Sequence, residues 1–475
     1  MTYQNFKVET DSDGIALVTW DIPGKSMNVL DTATIEELGQ IVAQTTGDAA
    51  VKGVVITSGK DAFSAGADLS MLEGMNRTYA ATLKDKGEEA ANQMLFDESR
   101  KLSQTLRTIE TCGKPWVAAI NGLALGGAFE LTLACHYRVA ADNPKTRLGL
   151  PEVKVGLFPG GGGTQRLPRM MPAAEALQLL LKGDQMTLAK AQAAKIVGAV
   201  VPQADLIATA KQWIKDGGKP VQPWDVKGFK LPSGPVYSAA GMNTFPPANA
   251  LYRSQTYDNY PAARAILSCV YEGLLVPIDA GLRIESRYFA KILRSKEAAA
   301  MIRSLFVSMQ DLNKGARRPQ NVPPTKVKKL AVIGAGFMGA SVGYVSAQAG
   351  MEVVLIDRDQ ESADKGKAHA RSVIDGLVAK GRAREAERDA LLSRITATAD
   401  FSAIKDCDLV IEAVFEDRQV KAETYAKAQP LLKDGAIFAS NTSTLPINSL
   451  AEEFSDQAKF IGIHFFSPVE KMMLV

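Results

Sequence analysis

Cysteine and histidine are scarce in this chain, which has four cysteines and three histidines among 475 residues. The cysteines lie far apart without CxxC or CxxH spacing, and the histidines are equally scattered. Zinc sites and disulfide frameworks need such residues at close, regular spacing. The sequence therefore predicts no metal site, and it predicts free thiols in a reducing, cytoplasmic setting.

Long apolar runs are also missing. No uninterrupted apolar stretch approaches the roughly 18 residues of a membrane-spanning helix, and the N-terminus carries neither a secretion signal nor an arginine-rich amphipathic stretch. The net charge of +3 is small for this length, so no nucleic-acid partner is expected. Hydrophobic residues (46%) and charged residues (23%) occur in ordinary globular proportions, and the length predicts two or three domains.

The pattern along the chain is that of an α/β protein. Up to about residue 205, short apolar strands alternate with helical stretches. The predicted strands are Ile15–Trp20, Val54–Thr57, Trp116–Ile120 and Tyr137–Ala140. Seven prolines between 216 and 262 predict irregular backbone there. From about 262 to 312, apolar residues recur at three- and four-residue spacing, which predicts helices interrupted at Pro277.

These changes divide the chain into three predicted parts. Residues 1–205 form the first α/β domain, residues 206–325 form an irregular and helical linker region, and residues 326–475 form a nucleotide-binding domain.

The last part opens with a dinucleotide-binding fingerprint. An apolar strand runs directly into a glycine-rich turn and a helix, and Asp357 ends the next apolar strand. Glycines at this spacing permit a tight turn, a close approach of backbone amides to a pyrophosphate, and close packing of helix on strand. The candidate cofactor-binding residues of the turn are Gly334, Gly336, Phe337, Met338 and Gly339. A carboxylate at Asp357 favours NAD over NADP, because it accepts hydrogen bonds from a ribose diol and repels a 2′-phosphate.

A second group of motifs indicates acid–base chemistry in the first domain. Gly127 is predicted at a helix N-terminus, where amides lack intrahelical partners, and Glu130 follows in the same helix. The small residues of Phe63–Asp68 allow another close backbone approach, and Glu152 supplies a second carboxylate. Two amides and two carboxyls suit addition of water across a double bond. Glycines that serve only packing, and a glutamate that only complements the helix dipole, are the alternative interpretation.

Three segments of the first domain resemble the crotonase family, in particular the enoyl-CoA hydratases: Phe63–Asp68, Gly122–Glu130 and Leu148–Arg169. The resemblance implies a crotonase-like spiral of ββα turns. It also implies that the amides of Ala67 and Gly127 bind a thioester oxygen of a coenzyme A substrate.

The same resemblance implies that Glu130 and Glu152 handle the water and the proton at carbon 2, in that order of roles. Family members that only isomerise double bonds or hydrolyse thioesters often lack one of these acids. Ala128 and Phe129 depart from the commoner residues of the family and could reshape the acyl pocket.

Residues 326–475 resemble the nucleotide domain of the 3-hydroxyacyl-CoA dehydrogenases. The resemblance implies that Glu416 and Lys421 contact the ribose and nicotinamide side of NAD, and that Ser443 contacts the substrate hydroxyl. It makes His464 the catalytic base, for which an imidazole with a pKa near neutrality is suited. A core histidine between Ile463 and Phe465 is the alternative interpretation.

The family places a glutamate twelve positions after the histidine, and the sequence ends at Val475, one position short. The C-terminal helical domain of such dehydrogenases also has no counterpart in the sequence. We therefore expect hydration to be retained and the dehydrogenase step to be impaired in this chain.

Together the two resemblances are those of the multifunctional alpha subunits of bacterial fatty acid oxidation complexes. They imply acyl-CoA substrates, a thiolase beta subunit as partner and a possible homo-oligomer. Two alternatives stay open: a crotonase-family isomerase or thioester hydrolase with a non-catalytic NAD-binding tail, and a scaffold that only binds coenzyme A and nucleotide.

Overall fold

The computed structural model describes residues 3–323, 325–472, 474 and 475. The chain forms two compact units, Met1–Arg318 and Pro319–Val475, which are described separately. Within the described residues, no helix is long and apolar enough to cross a membrane.

The strands of the first unit form two sheets. They are β1 (Phe6–Thr10), β2 (Ile15–Trp20), β3 (Gly53–Ser58), β4 (Trp116–Ile120), β5 (Ala124–Leu125), β6 (Tyr137–Ala141), β7 (Leu148–Gly149), β8 (Gln185–Met186) and β9 (Ala199–Val201). The large sheet has the order β1-β2-β3-β4-β6-β9, and β5-β7-β8 form the small one. The four strands predicted from the sequence are confirmed as β2, β3, β4 and β6.

The chain winds as a spiral, because each turn adds one strand to each sheet. After β4 it enters β5, and after β6 it enters β7. One turn earlier, Ser64 forms a bridge with Ala124 of β5 just after β3. Strands β2, β3, β4, β6 and β9 are parallel. The central strands β3 and β4 are buried throughout, whereas the edge strand β9 is only partly buried. This winding is the predicted crotonase-like ββα spiral, and it brings successive inter-strand turns side by side.

The helices of the first unit surround these sheets. They are α1 (Thr32–Gly47), α2 (Leu69–Thr111), α3 (Gly127–Ala134), α4 (Gly163–Met170), α5 (Ala173–Lys182), α6 (Leu188–Ala193), α7 (Leu206–Lys215), α8 (Ala239–Met242), α9 (Phe245–Thr256), α10 (Pro261–Gly273), α11 (Ile278–Leu293), α12 (Lys296–Ile302) and α13 (Ser308–Asn313). A π-helical turn, Arg303–Val307, joins the last two. Helix α2 is interrupted at Gly87, where φ is 84°.

The prediction of irregular backbone between 216 and 262 was wrong for α9. Its two prolines, Pro246 and Pro247, lie in the first turn, where a missing N–H leaves no intrahelical hydrogen bond unmade. Further on, the predicted interruption at Pro277 is confirmed, because this residue separates α10 from α11.

The second unit is a parallel sheet between helices. Its strands are β10 (Lys329–Ile333), β11 (Glu352–Ile356), β12 (Ile395–Thr398), β13 (Leu409–Glu412), β14 (Ile437–Ser440) and β15 (Phe460–Gly462). Its helices are α14 (Phe337–Gln348), α15 (Gln360–Ala379), α16 (Glu385–Ser393), α17 (Arg418–Ala428) and α18 (Ile447–Ala451). The strand order β12-β11-β10-β13-β14-β15 is that of a Rossmann fold, as predicted.

Candidate functional site

Two backbone turns of the first unit approach each other closely. A Cβ built on Gly66 would lie 2.9 Å from the Leu125 carbonyl oxygen, and one built on Gly126 would lie 3.6 Å from Gly66 Cα. Both glycines have positive φ, 101° and 56°. The next residues, Ala67 and Gly127, have amides with no hydrogen-bond acceptor in the described part of the chain. The turns therefore present two neighbouring free N–H groups.

These amides lie on a cavity of about 660 Å³. Ala67, Gly127, Glu130 and Glu152, the four predicted site residues of the first domain, all line it. The two carboxyls are close to the same turn. A Cβ built on Gly126 would lie 3.2 Å from Glu152 Oε1, and one built on Gly127 would lie 3.8 Å from Glu130 Oε2. The structure thus brings the four residues together.

Glu130 is held by a glycine-rich loop. Its Oε1 accepts hydrogen bonds from the amides of Gly161 (2.8 Å) and Gly163 (2.6 Å). Burial raises the pKa of Glu130 to about 7, and the two amides and the Arg166 guanidinium oppose the rise. The carboxyl is therefore both oriented and able to change protonation near neutral pH.

Glu152 is in a different environment. It begins a short 3-10 helix, Glu152–Val155, after strand β7. Its Oε2 is buried without a hydrogen-bond partner among the described residues. Burial, and then the charge of Glu130, raise the pKa of Glu152 well above its ordinary value. A buried carboxyl whose pKa is raised in this way holds a proton more tightly than an ordinary glutamate, which suits a proton donor.

The rest of the cavity is mostly apolar. Side chains of α2, of α11 and of the π-helical turn extend it away from the carboxyls; among them are Met71, Met75, Phe289 and Phe306. An apolar extension next to a polar end suits a ligand with a hydrocarbon chain.

Sequence reasoning missed Glu285, a third buried carboxylate beside this cavity. It lies in α11 and contacts the loop that holds Glu130. A signal was present in the sequence, because Ile278, Leu282, Glu285 and Ser286 share the buried face of the helix. A glutamate in such an apolar position needs specific hydrogen-bond partners.

In the second unit, the glycine-rich turn follows β10 as predicted. Gly334 has φ of 98°, and a Cβ built on Gly339 would lie 1.7 Å from the Gly334 carbonyl oxygen, so α14 packs on the turn only without a side chain there. Nothing lies within 4 Å of a Cβ built on Gly336. The turn therefore has open space at the helix N-terminus, where a pyrophosphate of NAD fits.

Asp357 follows β11 and reaches this turn. Its Oδ2 accepts a hydrogen bond from the Ala335 amide (2.7 Å). Phe337, in the first turn of α14, is 62% exposed, and Met338 packs partly buried against the core of the unit. Each of these residues lies at or beside the turn, as the fingerprint predicts.

Glu416 anchors the loop that carries Ser443. Its Oε1 accepts hydrogen bonds from Thr442 Oγ1 (2.6 Å) and from the amides of Ser443 (2.8 Å) and Thr444 (2.9 Å). Partial burial acts to raise the pKa of Glu416, but these hydrogen bonds and the Lys421 ammonium outweigh it and lower the pKa to about 2. The Glu416 carboxylate is thus ionised at neutral pH.

Lys421 lies beneath this loop. Its side chain is 1% exposed, and its Nζ lies 2.8 Å from Glu412 Oε1 and 3.4 Å from Glu416 Oε2. The ammonium is therefore committed to two carboxylates, and its predicted contact with a cofactor stays a prediction.

His464 follows β15, next to the loop that follows β14. Its Nδ1 is 3.0 Å from the Thr442 carbonyl oxygen. Because a carbonyl only accepts, Nδ1 carries the proton and Nε2 is left as the basic nitrogen. Ser443 is exposed one residue beyond Thr442. The two predicted catalytic residues therefore lie in adjacent loops at the carboxyl edge of the sheet.

Two family profiles match this chain. Residues 10–217 match enoyl-CoA hydratase/isomerase, and residues 329–475 match the NAD binding domain of 3-hydroxyacyl-CoA dehydrogenase.

In the described residues, no group of three or more histidine, cysteine, aspartate or glutamate side chains could hold a metal ion.

The chain also resembles curated proteins along nearly its whole length. It is 38% identical to the fatty acid oxidation complex subunit alpha of Shewanella halifaxensis and 37% identical to that of Shewanella baltica, over 99% of this chain in both cases. It spans 64% and 65% of the length of these relatives. A solved (S)-3-hydroxybutyryl-CoA dehydrogenase from Ralstonia eutropha is 33% identical over 31% of this chain and 52% of that chain, with a TM-score of 0.30.

Proposed function

Because the chain joins an enoyl-CoA hydratase/isomerase domain to a 3-hydroxyacyl-CoA dehydrogenase NAD-binding domain and is a homologue of fatty acid oxidation complex alpha subunits, we propose that it acts in fatty acid β-oxidation. Its first reaction is the hydration of trans-2-enoyl-CoA to (3S)-3-hydroxyacyl-CoA. Its second reaction is the NAD-dependent oxidation of this product to 3-oxoacyl-CoA.

One observation carries the hydratase proposal: two buried carboxyls and two amides without acceptors line the same cavity. The amides of Ala67 and Gly127 donate hydrogen bonds to the thioester oxygen, which gains negative charge as water adds to the conjugated double bond. Removal of one such donor typically costs about 3 kcal/mol of transition-state stabilisation.

The two carboxyls divide the proton transfers between them. Glu130, with a pKa of about 7, is partly ionised at neutral pH and takes a proton from water as the water oxygen bonds to carbon 3. Glu152, whose pKa is raised well above its ordinary value by burial, delivers a proton to carbon 2. One water is added, and the reverse sequence removes it. The different environments of the two carboxyls support this assignment of base and acid, because two amides bind Glu130 while Glu152 Oε2 has no hydrogen-bond partner among the described residues.

In the dehydrogenase step, NAD would accept the hydride when it is bound. The turn from Gly334 to Gly339 and the carboxylate of Asp357 would hold the cofactor, and Glu416 fixes the loop of Ser443. The Ser443 hydroxyl orients the substrate hydroxyl, and Nε2 of His464 accepts its proton.

The chemistry of the second product indicates a partner protein. A 3-oxoacyl thioester is consumed by thiolytic cleavage, so a thiolase beta subunit is the expected partner, in a cytoplasmic complex that could also contain several copies of this chain.

Product analysis tests the proposed function. We expect crotonyl-CoA in ¹⁸O-labelled water to give 3-hydroxybutyryl-CoA labelled at carbon 3, and added NAD to convert part of it to acetoacetyl-CoA with formation of NADH. Release of free coenzyme A, or a shifted double bond without incorporation of water, would instead support the hydrolase or isomerase alternative. Binding without any product would support the scaffold.

A further inference from the structure

Glu285 is a buried carboxylate supplied to the site by α11, outside the hydratase-like range 10–217. It accepts hydrogen bonds from the Gly162 amide (2.5 Å), the Thr164 amide (3.0 Å) and the Thr164 hydroxyl (2.5 Å). Its side chain does not line the cavity. Glu285 therefore acts on the site without touching a bound substrate, through the glycine-rich loop that holds Glu130 and through its charge.

The loop gives its amides alternately to two carboxylates. The amides of Gly161 and Gly163 go to Glu130, and those of Gly162 and Thr164 go to Glu285. The four amides are consecutive in the chain, so the hydrogen bonds to Glu285 hold the peptide groups directly next to those that bind Glu130.

The loop is tightly packed at two of its glycines. Gly162 has φ of 108°, and a Cβ built on it would meet the Arg166 guanidinium at 1.8 Å. A Cβ built on Gly161 would lie 2.8 Å from Glu130 Oε2. Movement at the Glu285 end of the loop is consequently transmitted to the amides that orient Glu130.

Among the described residues, the titratable or charged groups that interact with Glu285 come from several elements packed around it. They are Glu130 of α3, Glu152 of the 3-10 helix after β7, Arg166 of α4 and Cys269 of α10. Arg166 is shared, since it also binds Glu110 through Nε (2.6 Å). The carboxyls of Glu130, Glu152 and Glu285 thus lie close together with Arg166 as the cation near them. Burial, and then the charge of Glu130, raise the pKa of Glu285 to about 8.

We propose that Glu285 is a positioning residue for hydration: it fixes the loop that aims Glu130, and its carboxyl helps to set the pH range in which Glu130 and Glu152 exchange protons. This inference rests on the proposed hydratase function. It means that the helical region after residue 217 contributes to the chemistry of the first unit.

The test compares crotonyl-CoA hydration by the full chain and by Glu285→Gln between pH 5.5 and 9.5. We expect kcat to fall by about tenfold or more and KM to change less than about twofold, because Glu285 does not touch the substrate. The charge of Glu285 acts to raise the pKa of Glu152, so its removal should shift the alkaline limb of the bell-shaped pH profile, where Glu152 must stay protonated, to lower pH. The matched control is Glu272→Gln, since the Glu272 carboxylate accepts hydrogen bonds from Arg287 and Tyr288 and from no loop amide among the described residues, and the variant should leave the profile unchanged.

A second variant, Thr164→Val, keeps the Glu285 carboxyl but removes the hydroxyl that donates a hydrogen bond to it. It should lower kcat by a few fold without moving the pH profile, and it applies even if Glu285→Gln fails to fold. An unshifted profile in Glu285→Gln, or an unchanged kcat in Thr164→Val, would overturn the inference while the hydratase function stands. A wild-type chain that hydrates nothing would overturn both.

Discussion

Lys421 and Glu412 form an ion pair that is fully enclosed in the second unit, with Nζ 2.8 Å from Oε1 and side chains 1% and 0% exposed. Glu412 also accepts hydrogen bonds from the Tyr425 hydroxyl (3.1 Å) and the Ser440 hydroxyl (2.8 Å). The pair links β13, β14 and α17 below the loop of Ser443.

The first prediction concerns this pair. Lys421→Met leaves the Glu412 carboxylate buried without its cation, and breaking a buried pair in this way typically costs about 3–5 kcal/mol. Hydrogen–deuterium exchange in β13 and β14 should therefore accelerate. The exposed pair Lys365–Glu361 provides the control, because Lys365→Met should change stability by less than about 0.5 kcal/mol. Equal exchange in both variants would show that the buried pair is dispensable.

The second prediction concerns pH. Since burial raises the pKa of Glu130 to about 7 and the base must be ionised, kcat/KM for hydration should fall about tenfold per pH unit below about pH 7. A pH series with crotonyl-CoA measures this limb. An acidic limb near the ordinary glutamate pKa of about 4.3 would contradict the role given to Glu130.

The third prediction concerns the cofactor turn. Gly339→Ala places a methyl group against the Gly334 carbonyl, so NAD should bind at least about 100-fold more weakly in a calorimetric titration. Gly376→Ala in α15 is the control, because nothing lies within 4 Å of a Cβ built there. Hydration by both variants should match wild type. An unaltered NAD affinity in Gly339→Ala would show that the turn does not bind the cofactor.

The fourth prediction concerns the two amides. Gly66→Ala strains a residue at φ of 101° and pushes its methyl group toward the Leu125 carbonyl. The turns that carry Ala67 and Gly127 should separate, and kcat should fall by about 10²–10³, as for loss of an oxyanion-hole donor. Gly47→Ala meets no atom within 4 Å and should keep full activity. A fully active Gly66→Ala would mean that the close approach has no part in catalysis.

Local patterns predicted much of the fold. The glycine turn and Asp357 are fixed by spacing within one βαβ unit, and the structure has both at the expected strand ends. The helix after Gly126 was predictable for the same reason. The helix Phe245–Thr256 was not, because prolines were counted as breakers without regard to their place in the first turn.

Long-range contacts could not be predicted in this way. Glu285 meets Gly162 across 123 positions, and its partners are backbone amides that have no residue-specific signature. The burial of Lys421 could not be predicted either, since a lysine in a helix normally points to solvent. Its partner Glu412 lies at the end of strand β13, which is another element.

The hydration rate of the variants Glu130→Gln and Glu152→Gln tests the central claim most directly. Each glutamine keeps the size of the side chain but cannot transfer the proton, so the loss of the enoyl-thioester absorbance of crotonyl-CoA should slow by at least about 10³. Combining the two changes should add little, because the carboxyls act as a unit, and the exposed Glu175→Gln should behave as wild type. Near-wild-type hydration by either single variant would contradict the account.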